Sequence, residues 1–343
     1  MSRDIVEIVN TLGAHDPLHR MKNRALRRHL GTLSFVGARS DLPHPPLAVV
    51  VRTDLRADPP EPLVAHLRRR HRDSLVMMHL PDFLASHAPA LPVFDRFVDV
   101  YMVPTPEMRD FVRGFTPREV QVLFDPIDFL IDETLPNPVR ESVGPLRLMW
   151  FGYPESFDKS MRGYMTTLTA LVASGEVEFH VVTRSRTYGK RGVSTIHPYD
   201  PRTFPTLARN FDACVLSHQP FDFSLPTWVK SENKAVLAIA LGLPVVASAT
   251  PAYGRLLRGL GLDEFLFSTQ EELLVALRCL ADPARRQRYL EASQAEVLER
   301  YGAGKMAQAW LASMRVARAR KFGVPPLRHE AGVSLDAPPS ESA

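Results

Sequence analysis

Short apolar runs alternate with stretches of helical spacing along most of the chain. In the first 130 residues, Leu33–Val36, Leu47–Val51, Ser74–Met78, Val98–Val103 and Val120–Leu123 have the continuous apolar character of strands buried on both faces. Between them, segments such as 61–72 and 106–114 place apolar residues at helical intervals. This alternation predicts a parallel sheet with helices on its faces. Prolines and a glycine at 136–138 and 143–145 then interrupt the pattern and predict a linker over 135–145. A second series follows. Strands are expected at Leu146–Phe151, Glu178–Val182, Phe211–Leu216 and Pro244–Ala247. Helices are expected at Met161–Ala173, Phe204–Asn210, Gln270–Ala281, Pro283–Tyr301 and Lys305–Lys321. From Gly323 to Ala343 the chain is polar and rich in proline and serine, which predicts a disordered tail.

A chain of 343 residues exceeds one comfortable core, so the two series are read as two α/β domains, 1–134 and 146–322. Hydrophobic residues at 45% and charged residues at 23% fit a soluble globular protein, and no apolar run is long enough to span a bilayer. The opening MSRDIVEIVN carries an acid at position 4 and lacks a long apolar core, which argues against a signal peptide and for a cytoplasmic protein. Cys214 and Cys279 each lie in an apolar pattern and are expected as buried thiols.

The net charge of +4 is mild, but basic residues cluster at 19–28, at 66–72 and at Arg315, Arg318, Arg320 and Lys321. Each cluster reads first as a solvated helix face. Attraction to an anionic membrane surface, here the inner face, or to a phosphorylated acceptor is the alternative. Nucleic acid is not expected, because no aromatic-rich basic motif or zinc spacing accompanies the charge.

The segment Lys230–Tyr253 is the most informative. It reads as a helix capped by Ser231 or its neighbour, closed by Gly242 and followed by a strand that opens at Pro244. Free N–H groups at that helix start favour an anion, and Lys230 and Lys234 add formal charge. Together with Asp99–Thr105, Asp125–Asp128, the strand ending at Gly152, the strand containing Asp212 and the run Asp282–Arg286, this segment resembles GT-B glycosyltransferases in the order of its landmarks.

The resemblance implies two doubly wound Rossmann-like domains facing across a cleft, with the helix 305–321 packing back on the N-terminal, acceptor-side domain. It implies transfer of a sugar from a nucleotide-sugar to a glycan, lipid-linked or small-molecule acceptor, without a bound metal or other cofactor. Donor contacts are then expected from Gly152, Lys159, Arg184, Lys230, Ser231, Glu232, Asn233 and Lys234. The loop holding Arg184 also carries Arg186, Lys190 and Arg191 and could clamp phosphate.

Three departures from the pattern stand out. Val229 and Leu237 replace the two glutamates that many retaining members carry eight positions apart, Gly152-Tyr153 replaces a Gly-Arg pair, and the N-terminal half lacks a Gly-rich loop after its first strand. A catalytically silent GT-B-like protein that binds a partner glycosyltransferase or a polyanion is therefore the rival reading, and a nucleotide-sugar epimerase is a third. In the N-terminal half, His79 and Asp82 follow a strand end and are the expected general-base candidates, with Arg52 and Asp54 behind them.

Overall fold

The computed structural model describes residues 4–12, 28–31, 33–39, 41–127, 139, 144–184, 192–218 and 225–323. The chain divides into two compact units, one formed by 1–129 with 301–343 and the other by 130–300.

Unit 1 holds β1 (Asp4–Asn10), β2 (Leu33–Gly37), β3 (Ala48–Arg52), β4 (Leu75–His79), β5 (Val100–Val103) and β6 (Glu119–Val122). They form a parallel sheet in the order β2-β1-β3-β4-β5-β6. The valines and methionines of β3 and β4 are buried on both faces, which is why these strands read as unbroken apolar runs. β1 falls where no strand was expected. Its Glu7 gave the segment a polar look, yet that residue is fully buried inside the sheet.

Alternation along the strands sorts the two faces. Val6, Ala48, Val50, Leu75, Met77, Val100 and Met102 belong to one core cluster with Ala307, Trp310, Leu311, Met314 and Ala317 of the helix Ala303–Phe322. The spacing of those five residues is the apolar stripe of a helix laid on a sheet. The far end of the helix is anchored by polar contacts. Arg318 donates to the carbonyls of Pro46 and Leu47, Arg320 pairs with Glu119 at 2.7 Å, and Lys321 donates to Asp99 at 2.7 Å and to the carbonyls of Ser74 and His71.

The other face receives the helix Glu61–Arg70. Here the reading of 66–72 as a solvated face is corrected, because His66 and Arg70 are buried. Glu7 accepts from Arg70 Nε at 2.9 Å and from the backbone N–H of Arg39 at 2.5 Å, while His66 Nε2 lies 3.2 Å away. A buried carboxylate needs such partners, so these basic side chains turn inward. Arg318, Arg320, Lys321 and Arg70 are thus engaged within the unit and lend no support to a membrane-facing role. Of the cluster at 19–28, only Arg28 lies among the described residues.

Unit 2 holds β7 (Leu146–Phe151), β8 (Val177–Thr183), β9 (Thr195–Pro198), β10 (Ala213–Leu216), β11 (Val245–Ser248) and β12 (Leu266–Phe267). This sheet is also parallel, in the order β12-β11-β10-β7-β8-β9. β9 and β12 are short edge strands that the apolar pattern did not announce. The helix expected at 161–173 begins at Met165, after a 3₁₀ turn over Arg162–Tyr164, and a helix that was not expected, Pro154–Met161, precedes it. Helices at Leu225–Val229 and Pro251–Gly259 were likewise not expected.

Two landmarks of the sequence meet in the core. Asp212 accepts from the backbone N–H of Arg147 at 2.9 Å, and the buried guanidinium of Arg286 approaches it at 4.0 Å while donating to the carbonyls of Leu280 and Ala281. These residues hold strands and helices together and touch no open surface. Cys214 is buried and Cys279 only half-buried, and both are free thiols. Most of the linker and all of the tail beyond Gly323 lie outside the described residues.

Candidate functional site

In unit 2 the strand order reverses between β7 and β10, and a doubly wound sheet opens a crevice at the carboxyl ends of the strands at that point. β7 runs out there into Gly152, β10 into Ser217 and His218, and β11 into Thr250. The helix Asn233–Ala240 connects β10 with β11, and Gly242 closes it at φ +77°.

Lys234 lies in the first turn of that helix. Its ammonium sits 4.8 Å over the Trp150 ring and 5.9 Å from the Phe151 ring, an arrangement in which aromatic faces hold a cation. A side chain at residue 152 would fill this place: a Cβ there would come within 2.6 Å of the Lys234 Nζ and 2.7 Å of the Trp150 ring, at a backbone φ of +153°. Glycine suits this strand end because the backbone φ and the Trp150 ring disfavour a side chain there, while the flexible lysine would have to move aside. Burial, with repulsion from the exposed Lys230 added, pushes the Lys234 ammonium down to about 8.

The start of the helix differs from the cap expected from the sequence. Glu232, not Ser231, occupies the N-cap position, and its side chain accepts nothing from the first turn. The Glu232 carboxylate is buried and pairs with Arg255 at 3.2 Å. The Glu232 side chain therefore does not cap the first turn, and Lys230 and Lys234 lie on either side of it in the chain. Ser231 and Asn233 flank this start, each partly buried.

A second group completes this end of the sheet and was missed in the sequence. The His218 ring stacks on Tyr253 with centroids 4.0 Å apart and planes 18° from parallel. The His218 backbone N–H donates to Ser248 Oγ at 3.0 Å, and its Nδ1 lies 3.2 Å from Thr250 Oγ1. Burial first, and then the charges of Lys230 and Lys234, hold His218 well below the usual histidine range, so the ring is neutral. Tyr253 is pushed well above the usual tyrosine range by burial, then by Cys214 and Glu232. The available signal was positional, since His218 follows a buried strand just as Gly152 does.

Of the other expected donor residues, Arg184 is exposed at the end of β8 with its guanidinium 5.1 Å over the exposed Tyr153 ring. Lys159 is exposed on the last turn of the helix Pro154–Met161. Arg186, Lys190 and Arg191 lie outside the described residues.

In unit 1, His79 ends β4, is 5% exposed and meets Trp310 edge-on at 6.1 Å. Asp82 follows in an exposed bend. Asp54 is held by Arg56 through two bonds of 2.9 and 2.8 Å. Among the described residues no group of three His, Cys, Asp or Glu side chains could hold a metal ion, and no helix is long and apolar enough to cross a membrane.

Two doubly wound parallel sheets with flanking helices define a GT-B-type fold. Solved structures bear this out. A point mutant of the O-GlcNAc transferase of Thermobaculum terrenum aligns with 94% of this chain and 69% of its own at TM-score 0.56 and 16% identity. TarM aligns over 78% of this chain at TM-score 0.55 and 11% identity, and this chain spans only 54% of TarM. A Listeria monocytogenes protein provisionally assigned as a UDP-N-acetylglucosamine 2-epimerase aligns over 95% of this chain and 99% of its own, at TM-score 0.51 and 13% identity. At such identities the likeness is one of fold. No family model and no curated protein matches the sequence.

Proposed function

We propose that the chain is a glycosyltransferase that takes a sugar from a nucleotide-sugar, with the donor diphosphate at the start of the helix Asn233–Ala240. The observation that carries this reading is the Lys234 ammonium, from the first turn of a helix, set against Gly152 at the switch point of unit 2. As the bond from the anomeric carbon to the diphosphate breaks, negative charge grows on the departing phosphate. A lysine and fixed N–H dipoles in a partly dry site stabilise that charge without reorganising. Lys230 adds charge from the rim, and Ser231 and Asn233 are placed to donate or accept at the same end. Arg184 and Lys159 complete the proposed donor side, and the neutral His218 lines it without adding charge. On the acceptor side, Asp82 is the proposed general base and His79 its buried neighbour.

Titrating the full chain with UDP, GDP, ADP and TDP in a calorimeter tests the donor site. At least one should bind, and Gly152→Ala should weaken that ligand about tenfold by displacing the ammonium, the size of one lost charge-assisted contact. Once a donor is known, Asp82→Asn should lower turnover roughly 100- to 10,000-fold with nucleotide affinity unchanged. Normal turnover in that variant would remove Asp82 from the chemistry.

A second reading has one specific observation behind it. Leu237 and Val229 are core residues, 8% and 2% exposed, at the positions where many retaining members carry carboxylates. A noncatalytic protein that binds a partner glycosyltransferase or a polyanion fits that replacement. Failure of all four nucleotides to bind would favour it.

A further inference from the structure

Unit 1 carries a pocket of about 650 Å³ at the carboxyl ends of β1 and β2, beside the start of the helix Glu61–Arg70. Its volume lies within the range of small-molecule sites. Val9, Val36, Pro60 and Leu63 give it apolar walls, and Asn10 and Thr11 also line it, Asn10 Oδ1 accepting from the Leu12 N–H at 2.9 Å and Thr11 Oγ1 donating to Thr53 Oγ1 at 2.8 Å. Gly37 also lines it, and a Cβ there would meet no other described residue within 4 Å.

Among the described residues, the charges around this pocket leave Arg69 over. Beneath it, Glu7 and Arg70 neutralise each other through a 2.9 Å bond. At the rim, Arg39 is spent on Asp41 through bonds of 2.9 and 2.6 Å. Arg69 has no carboxylate partner among the described residues. Its guanidinium faces only His66 Nδ1, at 3.5 Å. On its other side His66 Nε2 lies 3.2 Å from the Glu7 carboxylate. His66 thus stands between the buried Glu7 carboxylate and Arg69, which lines the pocket.

We propose that this pocket binds a small organic anion, a phosphate monoester or carboxylate on a hydroxylated body, with Arg69 meeting the charge and the Thr11 hydroxyl oxygen accepting from a ligand hydroxyl. A planar guanidinium fork suits both kinds of anion. The proposal is independent of the nucleotide reading of unit 2.

Glucose 6-phosphate, glucuronate and glucose serve as matched probes of the full chain, read by calorimetry and by the shift of the thermal transition. At least one anion should bind at a concentration of about 10 mM or below, with glucose silent, and the two anions together report whether phosphate or carboxylate is preferred. Arg69→Gln should weaken that anion about tenfold or more, and because Arg69 is exposed the variant should keep the wild-type transition. Lys234→Ala should leave anion binding unchanged, which separates this pocket from the site in unit 2. No binding by either anion, equal binding of glucose, no effect of Arg69→Gln, or loss of binding in Lys234→Ala would each overturn the proposal.

Discussion

Replacing Lys234 by methionine is expected to weaken nucleoside diphosphate binding about 10- to 100-fold, the loss that follows when one charge-assisted contact is removed. The same lysine predicts two pH dependences. In the free protein its ammonium titrates near 8, so nucleotide affinity should fall as the pH rises through that value. A bound diphosphate favours the charged form and moves the midpoint upward in the complex. Stability without ligand should run the other way. The ordinary value is 10.5, so between about 8 and 10.5 the unfolded chain holds a proton that the folded chain has released, and stability from this group rises with pH across that window. Below about 8 both states carry the charge and its burial counts against folding. Urea titrations at pH 7.5 and 9.5 should show this gain in the wild type and not in Lys234→Met. Equal nucleotide affinity in the two proteins would move the diphosphate off this helix.

The largest stability effect is expected at Trp310. Its side chain is 2% exposed and centred in the stripe that closes one face of the unit 1 sheet. Trp310→Ala should cost about 3–5 kcal/mol, the range for removing a large aromatic side chain from a core. It also removes the ring against which His79 rests. Urea unfolding followed by circular dichroism measures the loss. A cost below about 1 kcal/mol would mean that the helix Ala303–Phe322 contributes little to that core, contrary to its burial.

The fold was legible where strands are continuous apolar runs. Val49–Val51 and Leu75–Met78 are buried on both faces, and nothing competes with the pattern. β1 was not legible, because Glu7 interrupts it and the residues that make a buried carboxylate tolerable, His66 and Arg70, lie about sixty positions further on. The same pairing explains why a basic run read as solvated turns half inward. β12 has two residues, too short for any periodicity to register.

The donor-side candidates divide similarly. Lys234 could be picked out by its place before Gly242 and the strand, since a helix start next to a buried strand is a local feature. The cap could not, because Glu232 is drawn away by Arg255 from the following helix. His218 was missed for a related reason. Its stacking on Tyr253 and its contacts to Ser248 and Thr250 span about thirty positions, and no spacing in the chain marks them.

The assignment of 301–343 to the same unit as 1–129 bears on how the protein comes to be folded in a cell. Synthesis runs from the N-terminus, so the six strands of unit 1 leave the ribosome before the whole of unit 2 and well before the helix Ala303–Phe322. At an elongation rate of about 5–20 residues per second, the face formed by Val6, Val50, Met77 and Met102 waits roughly 10–40 seconds for its cover. During that interval it is an exposed apolar surface on a nascent chain, the kind that chaperones hold and that aggregates when they do not. Unit 2 has no such delay, because all of its strands and helices are contiguous in the chain.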